Sequence, residues 1–391
     1  MKPQMKSQSL HIGQVFEAEI SSLSSQGDGV GRFEGMVVFI ENTAPGDLVR
    51  AKVWKRKKRF AHAELLEVIK PSPHRIPAPC PVYDLCGGCR WQHIEYSEQL
   101  KAKEKILKDQ LSRIAKLDFP VPTVQSSPQV FNYRNRIQLQ RGAFGVGYFQ
   151  RNSKKIVKID SCPLATSDLN ALIPKIPAKK DGKPERIELY VSQKDQETRW
   201  QAMNAGHPPE GFSQVNQGQN RSLIRCVQEL ITTHYKKYPL QVVLDLYGGS
   251  GNFSRSLATD LTQLSFKVVE RSPESVNFGR ELAQHLSLRN VEFYLDSVEH
   301  FFLDNRDQLA KENCLILIDP PRAGLSPELC KEIIRQQAQG LIYVSCQPST
   351  LARDLLAFIH ASGQYQLKAL EAFDMFPQTP HFEVVAYLES L

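Results

Sequence analysis

Between Val242 and Ser345 the sequence sets down a series of short, almost wholly apolar runs: "VVLDL", "FKVVE", "VEFYL", "CLILI" and "LIYVS". More polar stretches of helical length separate most of them. Strands this apolar must be covered on both faces, so the pattern predicts a doubly wound α/β domain with helices on either side of a parallel sheet. Two later runs, "QLKALEAFDMF" and "HFEVVAYLES", have no helix-length segment between them and predict an antiparallel hairpin at the sheet edge.

Upstream the pattern differs. Residues 12–70 alternate apolar and polar positions between glycine turns, which predicts a small β-barrel. The proline-rich "KPSPHRIPAPCP" then marks a boundary. Residues 93–117 place Ile106, Leu107, Leu111, Ile114 and Leu117 on one apolar stripe and predict a helix. Strand-like segments return at "YRNRIQLQRG" and "AFGVGYFQ". A chain of 391 residues with 41% hydrophobic content suits two or three packed domains rather than a disordered chain. The start, "MKPQMKSQSLHIGQ", lacks the apolar core of a signal peptide, and no apolar stretch approaches the roughly 18 residues needed to span a bilayer. The expectation is a soluble, cytoplasmic, monomeric protein without a membrane partner.

In "VVLDLYGGSGNF" a strand runs straight into a glycine turn and then a helix, so Gly248, Gly249 and Gly251 let the backbone approach a ligand. The spacing is not G-x-G-x-x-G and no Walker lysine follows. Glu270, ending the second run, is placed to accept hydrogen bonds from ribose hydroxyls, and Asp296, after the third, to receive an adenine amino group. That set fits S-adenosylmethionine better than a nicotinamide cofactor. Singly, each feature reads as an ordinary αβ turn with surface acids. In "LIDPPRAG", Asp319 ends a fourth run and two prolines stiffen the loop after it, where Arg322 is placed to contact RNA phosphate.

Cys346 follows the fifth run, just before a helix beginning near Ser349. An isolated cysteine is usually a small buried hydrophobe. Beside a methyl-donor site it has another use, and a helix N-terminus is expected to lower its thiol pKa. Carbon 5 of uracil is a poor nucleophile. A thiolate added at carbon 6 makes carbon 5 enolate-like, and after methylation a base removes the carbon 5 proton so that the thiol can leave. Glu383, in "PQTPHFEVV", is the expected base.

Three of the eight cysteines crowd into "CPVYDLCGGC", as Cys80, Cys86 and Cys89, with Cys162 the nearby fourth thiol. Spacing alone leaves zinc and an iron–sulfur cluster both open. His74 and His93 are nearby ligand alternatives that read as solvated histidines, and Cys226, Cys314 and Cys330 as packing residues. The formal net charge is only +7, but seven basic residues lie between Arg50 and Arg59, with Trp54 and Phe60 interleaved. Cations bind phosphate and aromatic rings stack on unpaired bases, so this strand points to RNA.

"DLYGGSGNF", "DPPRAG", "YVSCQPSTLARD" and "FPQTPHFEVV" resemble, in order, the motifs of the RNA 5-methyluridine (uracil-5-) methyltransferases, and "FSQVN" (212–216) resembles the segment preceding their methyl-donor domain. The resemblance implies a Rossmann-like class I S-adenosylmethionine-dependent methyltransferase domain at 206–391. Ahead of it would come an OB-like TRAM barrel at 8–70 and a small β-rich iron–sulfur domain at 71–205. It makes Cys346 the nucleophile and Glu383 the base. It puts Gln214, Tyr247, Asn252, Glu270, Asp296 and Asp319 on cofactor-binding positions, and a 4Fe-4S cluster on Cys80, Cys86, Cys89 and Cys162. Family members often carry Phe-Cys at Tyr247-Gly248 and asparagine at Asp296. The implied substrate is 23S ribosomal RNA, with the transfer RNA T-loop as the alternative. From another class, the rival is a noncatalytic RNA-binding iron–sulfur assembly factor.

Overall fold

The computed structural model describes residues 10–179, 183–203, 210–211, 213–309 and 312–391, so Phe212 of the "FSQVN" segment lies outside them. The chain divides into two compact units: Met1–Ile106 with Phe149–Val157 and Phe376–His381, and Leu107–Tyr148 with Lys158–Met375 and Phe382–Leu391.

The first unit contains a closed five-stranded barrel of β1 (Val15–Leu23), β2 (Gly29–Phe33), β3 (Met36–Ile40), β4 (Leu48–Arg56) and β5 (Phe60–Lys70), in the order β1-β2-β3-β5-β4. Alternate residues point inward. Phe16, Ile20, Val38, Ile40, Val49, Val53 and Ala61 fill the interior, as the alternation predicts. Asp47 fastens the exit from the barrel: its carboxylate accepts from the backbone of Ala44 (2.6 Å) and Ser72 (2.8 Å) and pairs with Arg75. Burial opposes its ionisation, but those three donors hold its pKa below the usual value.

The helix expected over 93–117 is shorter. α1 runs Tyr96–Gln110, because the backbone at His93 and Ile94 is already committed to a bridge with Arg75 and Ile76. It ends in a wide turn, Leu111–Ala115, closed by Lys116 in the left-handed region.

The second unit holds an antiparallel sheet of β6 (Arg136–Gly142), β7 (Gly145–Phe149), β9 (Glu185–Val191) and β10 (Thr198–Ala202), in the order β10-β9-β6-β7, and α2 (Ser167–Leu172), while β8 (Ile156–Lys158) belongs largely to the Phe149–Val157 segment of the first unit. Its larger part is a seven-stranded sheet of β11 (Val242–Leu246), β12 (Ser265–Glu270), β13 (Val291–Leu295), β14 (Cys314–Ile318), β15 (Gly340–Ser345), β16 (Tyr365–Phe373) and β17 (Glu383–Ser390). Between them run α3 (Gln217–Lys237), α4 (Asn252–Ala258), α5 (Pro273–His285), α6 (Val298–Leu309), α7 (Pro327–Gln336) and α8 (Pro348–Leu356). β11, β14 and β15 are buried at every position, which explains their continuous apolar runs. Ser272 and Ser326 cap α5 and α7 by accepting from the backbone three residues on, each with proline at the first helical position. The expected terminal hairpin is present, and β17 pairs antiparallel with both β15 and β16. Among the described residues no helix is long and apolar enough to cross a membrane.

Candidate active site

In the order β13-β12-β11-β14-β15-β17-β16, chain progression reverses between β11 and β14. The crevice outside the carboxyl ends of the strands at such a reversal is where open α/β sheets hold ligands. The expected site residues stand along that edge. Tyr247 follows β11, Glu270 closes β12, Asp296 follows β13, Asp319 follows β14 and Cys346 follows β15. Glu383 opens β17, which runs the other way. The register pairs Ser345 with Val384, so Glu383 comes level with Cys346.

The glycine turn has a steric reason at each of two positions. A Cβ on Gly248 would meet Val268 at 2.6 Å and Asp245 at 2.9 Å, and Gly251 takes φ +78° at the start of α4. Glu270 ties the turn to the next helix, accepting from Gly249 N (3.2 Å) and Ser272 N (2.8 Å). Asn252 is the first residue of α4, and its amide exchanges hydrogen bonds with Asn220 of α3 at 2.9 and 3.0 Å. Gln214 is buried ahead of α3. Asp296 accepts from its neighbour Ser297 N (2.8 Å) and pairs with His300 (2.9 Å). That bond comes first among the causes that raise the His300 pKa.

The site is acidic. Glu383 is only 3% exposed, and its Oε2 has no hydrogen-bond partner. Burial, then the charge of Asp319, raises its pKa well above the usual carboxylate value. Burial and then Asp245 push Asp319 up to about 7. Asp245 did not figure among the expected site residues. It lies buried inside β11, accepts from Ser254 Oγ at 2.5 Å, keeps Oδ1 unpartnered, and is raised to about 6 mainly by burial. A lone acid within a run as apolar as "VVLDL" is the signal that marks it.

The thiol differs from expectation. Burial, then Glu383 and Asp319, push Cys346 up to about 12, against the opposing charge of Arg322. Desolvation beside two carboxyl groups disfavours the thiolate. A crevice floored with glycine and lined with carboxyls fits a cationic adenosyl ligand.

α8 also braces the "DPPRAG" loop. Thr350 Oγ1 donates to Arg322 O (3.3 Å), and Arg353 to Ala323 O (3.0 Å) and Leu325 O (2.9 Å). Asp354 accepts from Leu325 N (3.0 Å) and from the Tyr343 hydroxyl of β15 (2.7 Å). The helix that follows the thiol therefore fixes the loop that follows Asp319.

In the first unit Cys86 is buried and Cys80 and Cys89 are half-buried, around a tight turn in which Gly88 N donates to Cys86 Sγ at 3.4 Å. In the second unit Cys162 is buried and receives the Tyr148 hydroxyl at 3.8 Å. His74 is partly exposed and paired with Glu95 (3.0 Å), as a solvated histidine should be. His93 is not solvated: it is 5% exposed and bonded to the Tyr83 hydroxyl at 2.6 Å, and burial lowers its pKa to about 4. Burial likewise raises the thiols of Cys226, Cys314 and Cys330, in keeping with packing roles.

Comparison with known proteins identifies the family. Residues 186–391 match the tRNA (Uracil-5-)-methyltransferase family, and residues 10–66 match the TRAM domain. An uncharacterized RNA methyltransferase of Bdellovibrio bacteriovorus is 34% identical, with 96% of this chain and 95% of that protein covered. The 23S rRNA (uracil(1939)-C(5))-methyltransferase RlmD of Dechloromonas aromatica is 29% identical over 95% of this chain and 99% of its own. Among solved structures, the tRNA (uracil-54, C5)-methyltransferase of Pyrococcus abyssi in complex with S-adenosyl-L-homocysteine is similar. Its TM-score is 0.69 at 25% identity, covering 95% of this chain and all of that one. These matches set aside the noncatalytic alternative. The chain belongs to the tRNA (uracil-5-)-methyltransferase family and is an S-adenosylmethionine-dependent RNA uracil-5-methyltransferase carrying a TRAM domain.

Proposed function

We propose that this enzyme methylates carbon 5 of a uridine in 23S ribosomal RNA through a covalent adduct between Cys346 and carbon 6 of the base. The observation that carries the chemistry is the register of β15 and β17, which sets a buried carboxyl level with the thiol. Cys346 gives its proton to solvent, aided by the Arg322 charge, and its sulfur bonds to carbon 6 as the carbon 5–carbon 6 double bond opens, leaving the electron pair at carbon 5. S-adenosylmethionine, when bound, supplies an electrophilic methyl group on a sulfonium for carbon 5 to take up. Glu383 then removes the carbon 5 proton, the carbon–sulfur bond breaks, and the double bond re-forms. Gln214, Tyr247, Asn252, Glu270, Asp296 and Asp319 are the residues assigned to the cofactor.

The choice of 23S ribosomal RNA rests on the RlmD relatives, which match over nearly the whole chain. Transfer RNA is the rival, favoured by the Pyrococcus abyssi likeness. Incubating the enzyme with labelled methyl donor and either 23S or transfer RNA transcripts, then mapping 5-methyluridine, separates them. Label in the large-subunit RNA is expected. Label confined to the T-loop of transfer RNA overturns the substrate assignment.

The same reading assigns a 4Fe-4S cluster to Cys80, Cys86, Cys89 and Cys162, with a structural role. Soft thiolates suit iron–sulfur chemistry, and hydrogen bonds to ligand sulfurs tune such clusters. Each of two of these sulfurs accepts one here. Protein purified without air should contain iron and acid-labile sulfide in equal amounts. Stoichiometric zinc with no sulfide would refute the cluster.

A further inference from the structure

The barrel carries a row of aromatic rings on its outer surface. Val38, Ile40, Val53, Ala61 and Ala63 already fill the interior, so the intervening residues of β3, β4 and β5 face outward. Phe39 of β3 and His62 of β5 are direct partners in the parallel pairing, and Trp54 falls where the β4–β5 register slips between Val53 and Lys55. A bulge re-aims a side chain, and here it brings the indole against the imidazole. The ring centroids of Phe39 and His62 are 5.4 Å apart at 32°, and those of His62 and Trp54 are 5.5 Å apart at 37°. Phe60 braces the row edge-on, at 80° to Phe39 and 83° to His62. Trp54 remains 53% exposed.

The surroundings are cationic. Lys52, Lys55, Arg56, Lys57, Lys58 and Arg59 are all exposed, and Lys55 Nζ lies 5.7 Å from the Trp54 ring. Arg50, on the same strand, is instead held by Glu17 and Glu67. An exposed indole at the end of a half-buried aromatic row, beside several cations, suits a polyanion with flat, unpaired rings, because duplex RNA keeps its base faces stacked out of reach. A protein partner would have to match those cations with acidic residues.

We propose that Phe39, His62 and Trp54 form a stacking platform for unpaired bases of the RNA substrate, with the cations of β4 and the turn after it following the phosphates. The proposal deepens the RNA-modifying reading by naming the surface and the strandedness it selects, and its test does not require methyl transfer.

The full chain would be titrated with a fluorescein-labelled single-stranded RNA dodecamer and with the same strand annealed to its complement, across a salt series. Trp54→Ala should weaken single-strand binding about tenfold and leave duplex binding unaffected, because a stacked base is lost. The salt slope should be unchanged, because no charge is removed. Lys57→Ala with Lys58→Ala should instead flatten the slope by roughly 0.7 per cation engaged. Intrinsic fluorescence should be quenched by the single strand in the unaltered chain and quenched much less in Trp54→Phe, since Trp91 is buried and the half-buried Trp200 of β10 contributes the same background to both. Matching melting temperatures show that the variants are folded. Single-strand affinity within twofold of the unaltered chain for Trp54→Ala, or equal losses on single strand and duplex, overturns the proposal. If the platform behaves as described but no RNA is methylated at uracil, the proposed chemistry fails and the platform stands.

Discussion

Replacing Cys346 with serine should lower methyl transfer by about 10³-fold or more, the scale seen when a covalent catalyst loses its nucleophile. A hydroxyl is a far weaker nucleophile than a thiolate, and the same environment that raises the thiol to about 12 would suppress an alkoxide further. The variant should still bind S-adenosylmethionine, because the glycine turn, Glu270 and Asn252 are untouched. RNA containing 5-fluorouracil should trap the unaltered enzyme, since fluorine at carbon 5 cannot leave as a proton, and a denaturing gel should show a slower protein–RNA band. Cys346→Ser should give none. Undiminished methylation by this variant, measured as label per enzyme per minute, would remove the thiol from the mechanism.

Glu383→Gln should cost about 10²- to 10⁴-fold, the usual contribution of a positioned base. Its signature differs from that of the serine variant. With ordinary RNA and methyl donor it should accumulate a methylated covalent adduct, because attack and methyl transfer proceed while proton removal stalls. The pH profile follows from burial. Glu383 acts as a base only when ionised, and its pKa stands well above the usual carboxylate value. Activity of the unaltered enzyme should therefore fall as pH drops through that raised value, at higher pH than an exposed glutamate would impose. The residual activity of Glu383→Gln should lose the part of this limb that Glu383 sets and keep the rise with pH that ionisation of the Cys346 thiol imposes. A Glu383→Gln enzyme that turns over freely, with no adduct, would assign the proton to another group.

The edge of the sheet was legible because each strand stops where its apolar run meets an acid, a glycine or a cysteine, and parallel strands bring those stops to one side. The barrel was legible for a similar reason, since inward positions such as Val49 and Val53 alternate with polar ones. What sequence could not give was depth. Glu383 begins a run of buried positions and reads as an ordinary strand residue until β15 is known to lie beside it. The Cys346 thiol is expected low from its helix and stands high because burial, and then two carboxyl groups from distant parts of the chain, oppose its ionisation. His93 shows the same limitation, since its burial comes from a pairing with Tyr83 that local polarity does not announce. Asp245 sits in a run apolar enough to predict the strand that forms, and a strand alone gives its one acid no role.

The insertion of β17 between β15 and β16 has a bearing on how the enzyme matures. Both of its neighbours precede it in the sequence, so the strand that delivers Glu383 to Cys346 is the last of the sheet in chain order. A partly folded intermediate can already possess the thiol and the glycine turn yet have no proton acceptor opposite them. Such a species would be unable to finish a turnover, which ties chemical competence to completion of folding.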